Sequence, residues 1–213
     1  RATAEMDFLV DVAERNAIGI RGSVGPYIRL KESMSRLGLE AKDTKTLFEG
    51  VSNAAATFAL SADEVNGVLV AFSQVASKGK VQAEELRNQI GERLPGAFSL
   101  AAESLGVTTQ ELNKMLETGK VLAKDFLPKF AELLQKEYGN NLERKTDTLA
   151  ASATRATNAF QILAKEVFEF SADTIGQFVS IKGVIDKISS GAKTISDAIR
   201  FLRESYETEA FLR

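Results

Sequence analysis

The fold is decided by the stretch Lys78 to Leu134, KGKVQAEELRNQIGERLPGAFSLAAESLGVTTQELNKMLETGKVLAKDFLPKFAELL. It reads as short amphipathic helices separated by glycine and proline at regular places. Gly79-Lys80-Val81 opens one unit, and Gly119-Lys120-Val121 opens a near-copy 40 residues later. Each is followed by a small residue (Ala83 or Ala123), an acid (Glu85 or Asp125) and a large apolar residue (Leu86 or Phe126). Further on, Ile90 matches Phe130 and Leu94 matches Leu134, an internal repeat present twice.

The capping boxes fit the same plan. Ser61-Ala62-Asp63-Glu64 predicts a helix through Leu69, Phe72, Val75 and Ala76. Thr108-Thr109-Gln110-Glu111 predicts another, holding Leu112, Met115 and Leu116. Glycines preceding a lysine can suggest a phosphate loop, but Gly79 and Gly119 lack the full Gly-x-x-x-x-Gly-Lys-Ser/Thr spacing. They read instead as left-handed C-caps. Pro95 is expected to open the helix that follows the Gly91–Gly96 turn, with Glu92 and Arg93 as a local ion pair.

These residues resemble the signature domain of tailed-phage and prophage tape measure proteins. The likeness runs from about Leu37 to about Tyr138 and is carried by Gly79, Lys80, Glu85, Leu86, Gln89, Gly91, Glu92, Arg93, Leu94, Pro95, Gly96, Ala97 and Gly119. The resemblance implies a structural ruler and scaffold that sets tail length while tail tube subunits assemble around it, kept soluble by tail assembly chaperones. It also implies a place in the lumen of the virion tail, in the host cytoplasm during assembly, and a part in genome delivery. These roles require no cofactor.

Upstream, residues Ala2 to Asn16 predict a helix with Phe8, Leu9, Val12 and Ala13 on one face. The segment from Ile18 to Pro26 holds three glycines and reads as a loop or hinge, with Pro26 in the first turn of a helix to Leu37. Tyr27, Leu30, Met34 and Leu37 form its buried stripe. The next helix is expected to begin with Asp43 as N-cap and to bury Leu47, Val51, Ala54, Ala55 and Phe58.

Beyond the break at Gly139-Asn140-Asn141 the pattern changes to steps of 3 and 4. Leu149, Ala153, Ala156, Phe160, Leu163, Val167 and Phe170 form one block. Phe178, Ile181, Ile185, Ile188, Ala192, Ile195, Ile199, Leu202 and Tyr206 form a second, joined through Thr174 by a stutter. Such a seam predicts a coiled coil that self-associates, or an internal helical hairpin, with Ser189-Ser190-Gly191 as its turn. The expected organisation is all-α: a bundle of short helices over residues 1–138 and a long-helix extension over 139–213.

Composition excludes several chemistries. With no histidine and no cysteine among 213 residues, there is no Ser-His-Asp triad, no thiolate nucleophile and no His/Cys metal site. The glutamates Glu84, Glu85, Glu92 and Glu103 read as solvated or capping rather than as a glycosidase pair, so no catalytic residue is assigned. A net charge of −2 with mixed signs argues against a dedicated nucleic-acid surface. No apolar run reaches the ~20 residues of a membrane helix, and no leader opens the chain. Because the first residue is Arg1, the chain reads as a processed or excised piece. Two other readings fit the helical pattern: a helical interaction module unrelated to phage tails, and a lytic muramidase fragment.

Overall fold

The computed structural model describes residues 2–139 and 154–159, and among them the fold is all-α. The chain divides into two compact units, Arg1–Thr148 and Leu149–Arg213. Among the described residues of the first, seven α-helices follow in order: α1 (Ala2–Asn16), α2 (Ile20–Arg36), α3 (Ala41–Phe58), α4 (Ala62–Lys78), α5 (Ala97–Ser104), α6 (Thr109–Glu117) and α7 (Ala123–Tyr138). A π-helical turn, Glu85–Ile90, lies between α4 and α5. In the second unit, residues 154–159 are helical. The seam positions from Leu149 to Tyr206, Ala156 excepted, lie outside the described residues.

Helix α3 packs most extensively on α7, and α2 on α4. The centre of the core is Leu47, Phe48 and Val51 of α3, Leu69 and Phe72 of α4, and Phe126, Leu127, Phe130 and Leu134 of α7. Phe130 stacks on Phe126 at 5.1 Å and lies 5.7 Å from Phe72, so one ring column links α4 to α7. Each such side chain contributes about 1.5–3 kcal/mol when buried. The α3–α7 crossing is close because Gly50 has no side chain. A Cβ there would lie 2.8 Å from Leu134 Cβ and 3.2 Å from the Ala131 carbonyl.

Helix α1 is held on α2 and α3 by Phe8, Tyr27 and Phe48, with ring centroids 5.1–6.1 Å apart. The Tyr27 hydroxyl donates to Glu5 Oε2 at 2.6 Å, and Lys31 Nζ lies 3.1 Å from Glu5 Oε1. Burial first, and then this bond to a carboxylate, push the Tyr27 phenol well above its ordinary pKa.

Several boundaries differ from expectation. The loop after α1 is only residues 17–19, so Gly22, Gly25 and Pro26 lie inside α2. Pro26 lacks an N–H and its ring faces the carbonyl four residues back, which ordinarily breaks a helix. Here that residue is Gly22, and burial of Ile18, Ile20, Pro26 and Tyr27 favours continuing the helix. Asp43 is not the N-cap of α3: Glu40 is, and Asp43 accepts from the Glu40 N–H at 2.9 Å. Pro95 precedes α5 rather than opening it, because Gly96 in the left-handed region is the N-cap. The boxes at Ser61–Glu64 and Thr108–Glu111 form as read, with both reciprocal bonds present.

Candidate functional site: the paired Gly-Lys-Val turns and the arch that follows

The two repeat copies meet in space. Helix α4 ends at Gly79 (φ +72°) and α6 gives way at Gly119 (φ +65°), both left-handed conformations that cost a side-chain residue about 1–2 kcal/mol. Each glycine turns the chain off its helix axis into an extended step. The two steps then pair antiparallel, with Lys80 opposite Leu122. Val81 N–H donates to the Val121 carbonyl at 2.9 Å, and Ala123 N–H to the Gly79 carbonyl at 3.0 Å. In that register Val81 stands opposite Val121, its equivalent in the other copy, while Lys80 stands opposite Leu122 rather than Lys120. Both valines are buried, Lys80 and Lys120 are exposed, and Leu122 is 53% exposed. The sequence shows the repeat but not this pairing, which only the folding back of α5 and α6 brings about.

After the first turn the chain forms an arch. Gly91 N–H donates to the Leu86 carbonyl at 3.0 Å, a five-residue step that widens the helix into the π-turn. A Cβ on Gly91 would lie 2.5 Å from the Arg87 carbonyl and 3.0 Å from that of Leu86, so this turn requires glycine. Arg93 does not pair with Glu92. Its Nη1 donates to the Gln89 carbonyl at 2.6 Å, and its guanidinium lies over Gly67 of α4, where a Cβ would come within 2.6 Å of Nε. Glu92, Pro95 and Gly96 are exposed, while Leu86, Ile90, Leu94 and Ala97 are buried beneath the arch. Gly96 (φ +79°) then releases α5.

Glu85 departs from the expected solvated or capping role. It is 0% exposed rather than solvated. Lys78 Nζ donates to Glu85 Oε1 and, at 2.9 Å, to Gln82 Oε1, tying the end of α4 to the π-turn. Glu85 Oε2 is buried without a hydrogen-bond partner. The second copy has no such tie: Thr118 stands where Lys78 would be, and Asp125, matching Glu85, is exposed. No local spacing signals it: the helix carrying Lys78 ends at Gly79, so Gln82 and Glu85, four and seven residues on, do not continue its face.

Chemically, then, Gly79, Gly91, Arg93, Leu94, Gly96, Ala97 and Gly119 are used on backbone geometry and packing, while Lys80, Glu92 and Pro95 are exposed. Among the described residues no cluster of three or more acidic side chains is arranged for a metal ion, and no helix is long and apolar enough to cross a membrane.

Comparison with known proteins agrees with the resemblance carried by this arch. The family model described as "Tape measure protein" matches residues 1–169. A curated protein described as "Probable tape measure protein", from Salmonella phage Felix O1 (isolate Felix O1-VT1), is 36% identical over 154 residues. That alignment covers 64% of this chain and 21% of the phage protein, so the match spans about a fifth of the relative's length. No solved structure matches the chain.

Proposed function

The chain belongs to the tape measure protein family, and on that premise we propose that it supplies a folded helical section of a phage tail ruler. In this reading the whole protein sets tail length while tube subunits assemble around it, is kept soluble by assembly chaperones in the host cytoplasm, and aids genome delivery. The observation that carries the reading is how the family string is used. Gly79, Gly91, Gly96, Gly119 and Arg93 all serve turns and packing, and an apolar layer fills the space beneath the arch. A ruler requires length and a defined chain path, and it requires no reactive group. A catalytic role is therefore not part of the proposal.

Tail length is the direct test. Residues 1–148 are duplicated in frame in a phage whose tape measure gene encodes this chain, and tails are measured by electron microscopy. Read as extended helix, the duplicate lengthens the tail by about 220 Å at ~1.5 Å per residue; read as a compact bundle, by about one helix length, ~27 Å. An unchanged length overturns the ruler reading. Self-association through the seam between Leu149 and Tyr206 is a separate part of the proposal. Light scattering of the full chain beside one ending at Tyr138 is expected to show an oligomer and a monomer; two monomers would dismiss it.

A further inference from the structure

The α2–α4 pair carries a feature that the ruler reading does not use. A groove of about 320 Å³ runs between the two helices on their outer side. From α2 it is lined by Arg29, Ser33 and Arg36, and from α4 by Val70, Ser73 and Ser77. Both sets are spaced in steps of 3 and 4, the spacing that presents one continuous face to a third helix. The middle of the trough is kept shallow-walled by serines, with Ser77 Oγ donating to Ser33 Oγ at 3.1 Å and Ser73 Oγ bonded to its own helix at the Leu69 carbonyl.

The charges on this face are unevenly satisfied. Lys78, at one end, is held by Glu85 and Gln82. Arg29 and Arg36 are exposed, and neither has an ion pair or side-chain hydrogen bond among the described residues. They stand two helical turns apart, about 10.5 Å along the axis. Glu32 is the one carboxylate lining the groove.

We propose that the α2–α4 groove is a docking site for an acidic helix of a partner protein. The helix lies along the serine trough and carries two carboxylates seven residues apart, which meet Arg29 and Arg36. A second helix is the occupant because the same rise per residue puts its carboxylates in register with both arginines at once, which an irregular anion does not do. Small serines in the floor permit close approach of its backbone, and Val70 gives it an apolar contact.

The test uses the full 213-residue chain and a fluorescein-labelled, alanine-based helical peptide with glutamates seven residues apart. Binding is read by fluorescence anisotropy at low ionic strength. The expected result is saturable binding, lost by the peptide with lysines in place of the glutamates. The R29E/R36E variant is expected to bind roughly tenfold or more weakly, with an unchanged circular dichroism melt. If that variant fails to fold, R29Q/R36Q is used, with weaker binding again expected. A control reversal on a different face, Lys136→Glu in α7, leaves binding unchanged. No binding by the acidic peptide, equal binding by the arginine variants, an equal loss with Lys136→Glu, or displacement of the peptide by duplex DNA at lower concentration would each overturn the proposal.

Discussion

Lys78→Met is expected to destabilise the first unit far more than Glu85→Leu does, although the two residues form one ion pair. The asymmetry follows from where each charge sits. Glu85 is 0% exposed and its second oxygen has no partner, whereas the Lys78 side chain is 43% exposed. Removing one partner of a fully buried pair costs about 3–5 kcal/mol, because a buried charge is left uncompensated. Lys78 is half in water, so solvent reaches the place its ammonium leaves, and about 2 kcal/mol is the expected cost. In a unit of 148 residues that lowers the melting temperature by roughly 5–8 °C.

Glu85→Leu removes the carboxylate instead. The lysine swings into solvent, a leucine of similar volume joins Leu86 and Ile90, and the change falls within about 0.5 kcal/mol of zero or is stabilising. The double variant is expected to recover most of what Lys78→Met loses. Urea unfolding followed by far-UV circular dichroism on all four proteins gives the coupling free energy directly. Hydrogen exchange would place the Lys78→Met loss in the segment from Val81 to Gly91. A Glu85→Leu cost equal to or larger than that of Lys78→Met would refute the reasoning, as would a double variant no better than Lys78→Met alone.

Gly50→Ala puts a methyl group 2.8 Å from Leu134 Cβ at the α3–α7 crossing, and denaturant unfolding is expected to show a loss of about 1–3 kcal/mol. Ala59 closes α3 at φ +53°, so Ala59→Gly, which relieves the left-handed strain, is expected to stabilise by up to ~1 kcal/mol in the same assay. Three carboxyls are held below their ordinary value of 4.5: Glu64 by bonds from the Ser61 side chain and backbone, Glu111 by those from the Thr108 backbone and side chain, and Glu5 chiefly by the Tyr27 hydroxyl. Because the folded values are depressed, their stabilisation is present above pH 4.5 and is lost as pH falls through the folded values. Thermal melts are expected to fall below that pH, less steeply in a S61A/T108A variant; a flat profile through this range would contradict the assignment.

Local signals in this sequence were legible where one residue sufficed to state a backbone requirement. Ser61 and Thr108 with their glutamates mark helix starts, and Gly79 and Gly119 mark left-handed stops. Helix starts at Asp43 and Pro95 shift by a few residues, and the larger misreadings fall where a tertiary contact decides. The composition around Gly22 and Pro26 indicates a break, yet the apolar side chains of the same segment are buried and α2 starts at Ile20. Glu85 sits among exposed acids in the sequence, and only the approach of the Lys78 side chain distinguishes it. Arg93 has Glu92 beside it in the sequence, but its seat is Gly67, on another helix.

The Gly-Glu-Arg-Leu-Pro-Gly-Ala string is a motif of chain path rather than of chemistry. An active-site motif is spent on groups that face a substrate; here Gly91 accommodates a five-residue hydrogen-bond step, Arg93 closes a carbonyl, Leu94 and Ala97 enter the core, and Gly96 resets the chain direction. Helices of eight to eighteen residues are marginal alone. Their stability therefore depends on turns that deliver each apolar face to the right neighbour, and a substitution in a turn acts on two helices at once. The string is specific because a turn has few solutions, whereas the apolar faces it joins accept many side chains of similar volume. On this argument Gly91→Ala should misplace both the π-turn and α5, whereas Ile90→Leu should be absorbed by repacking.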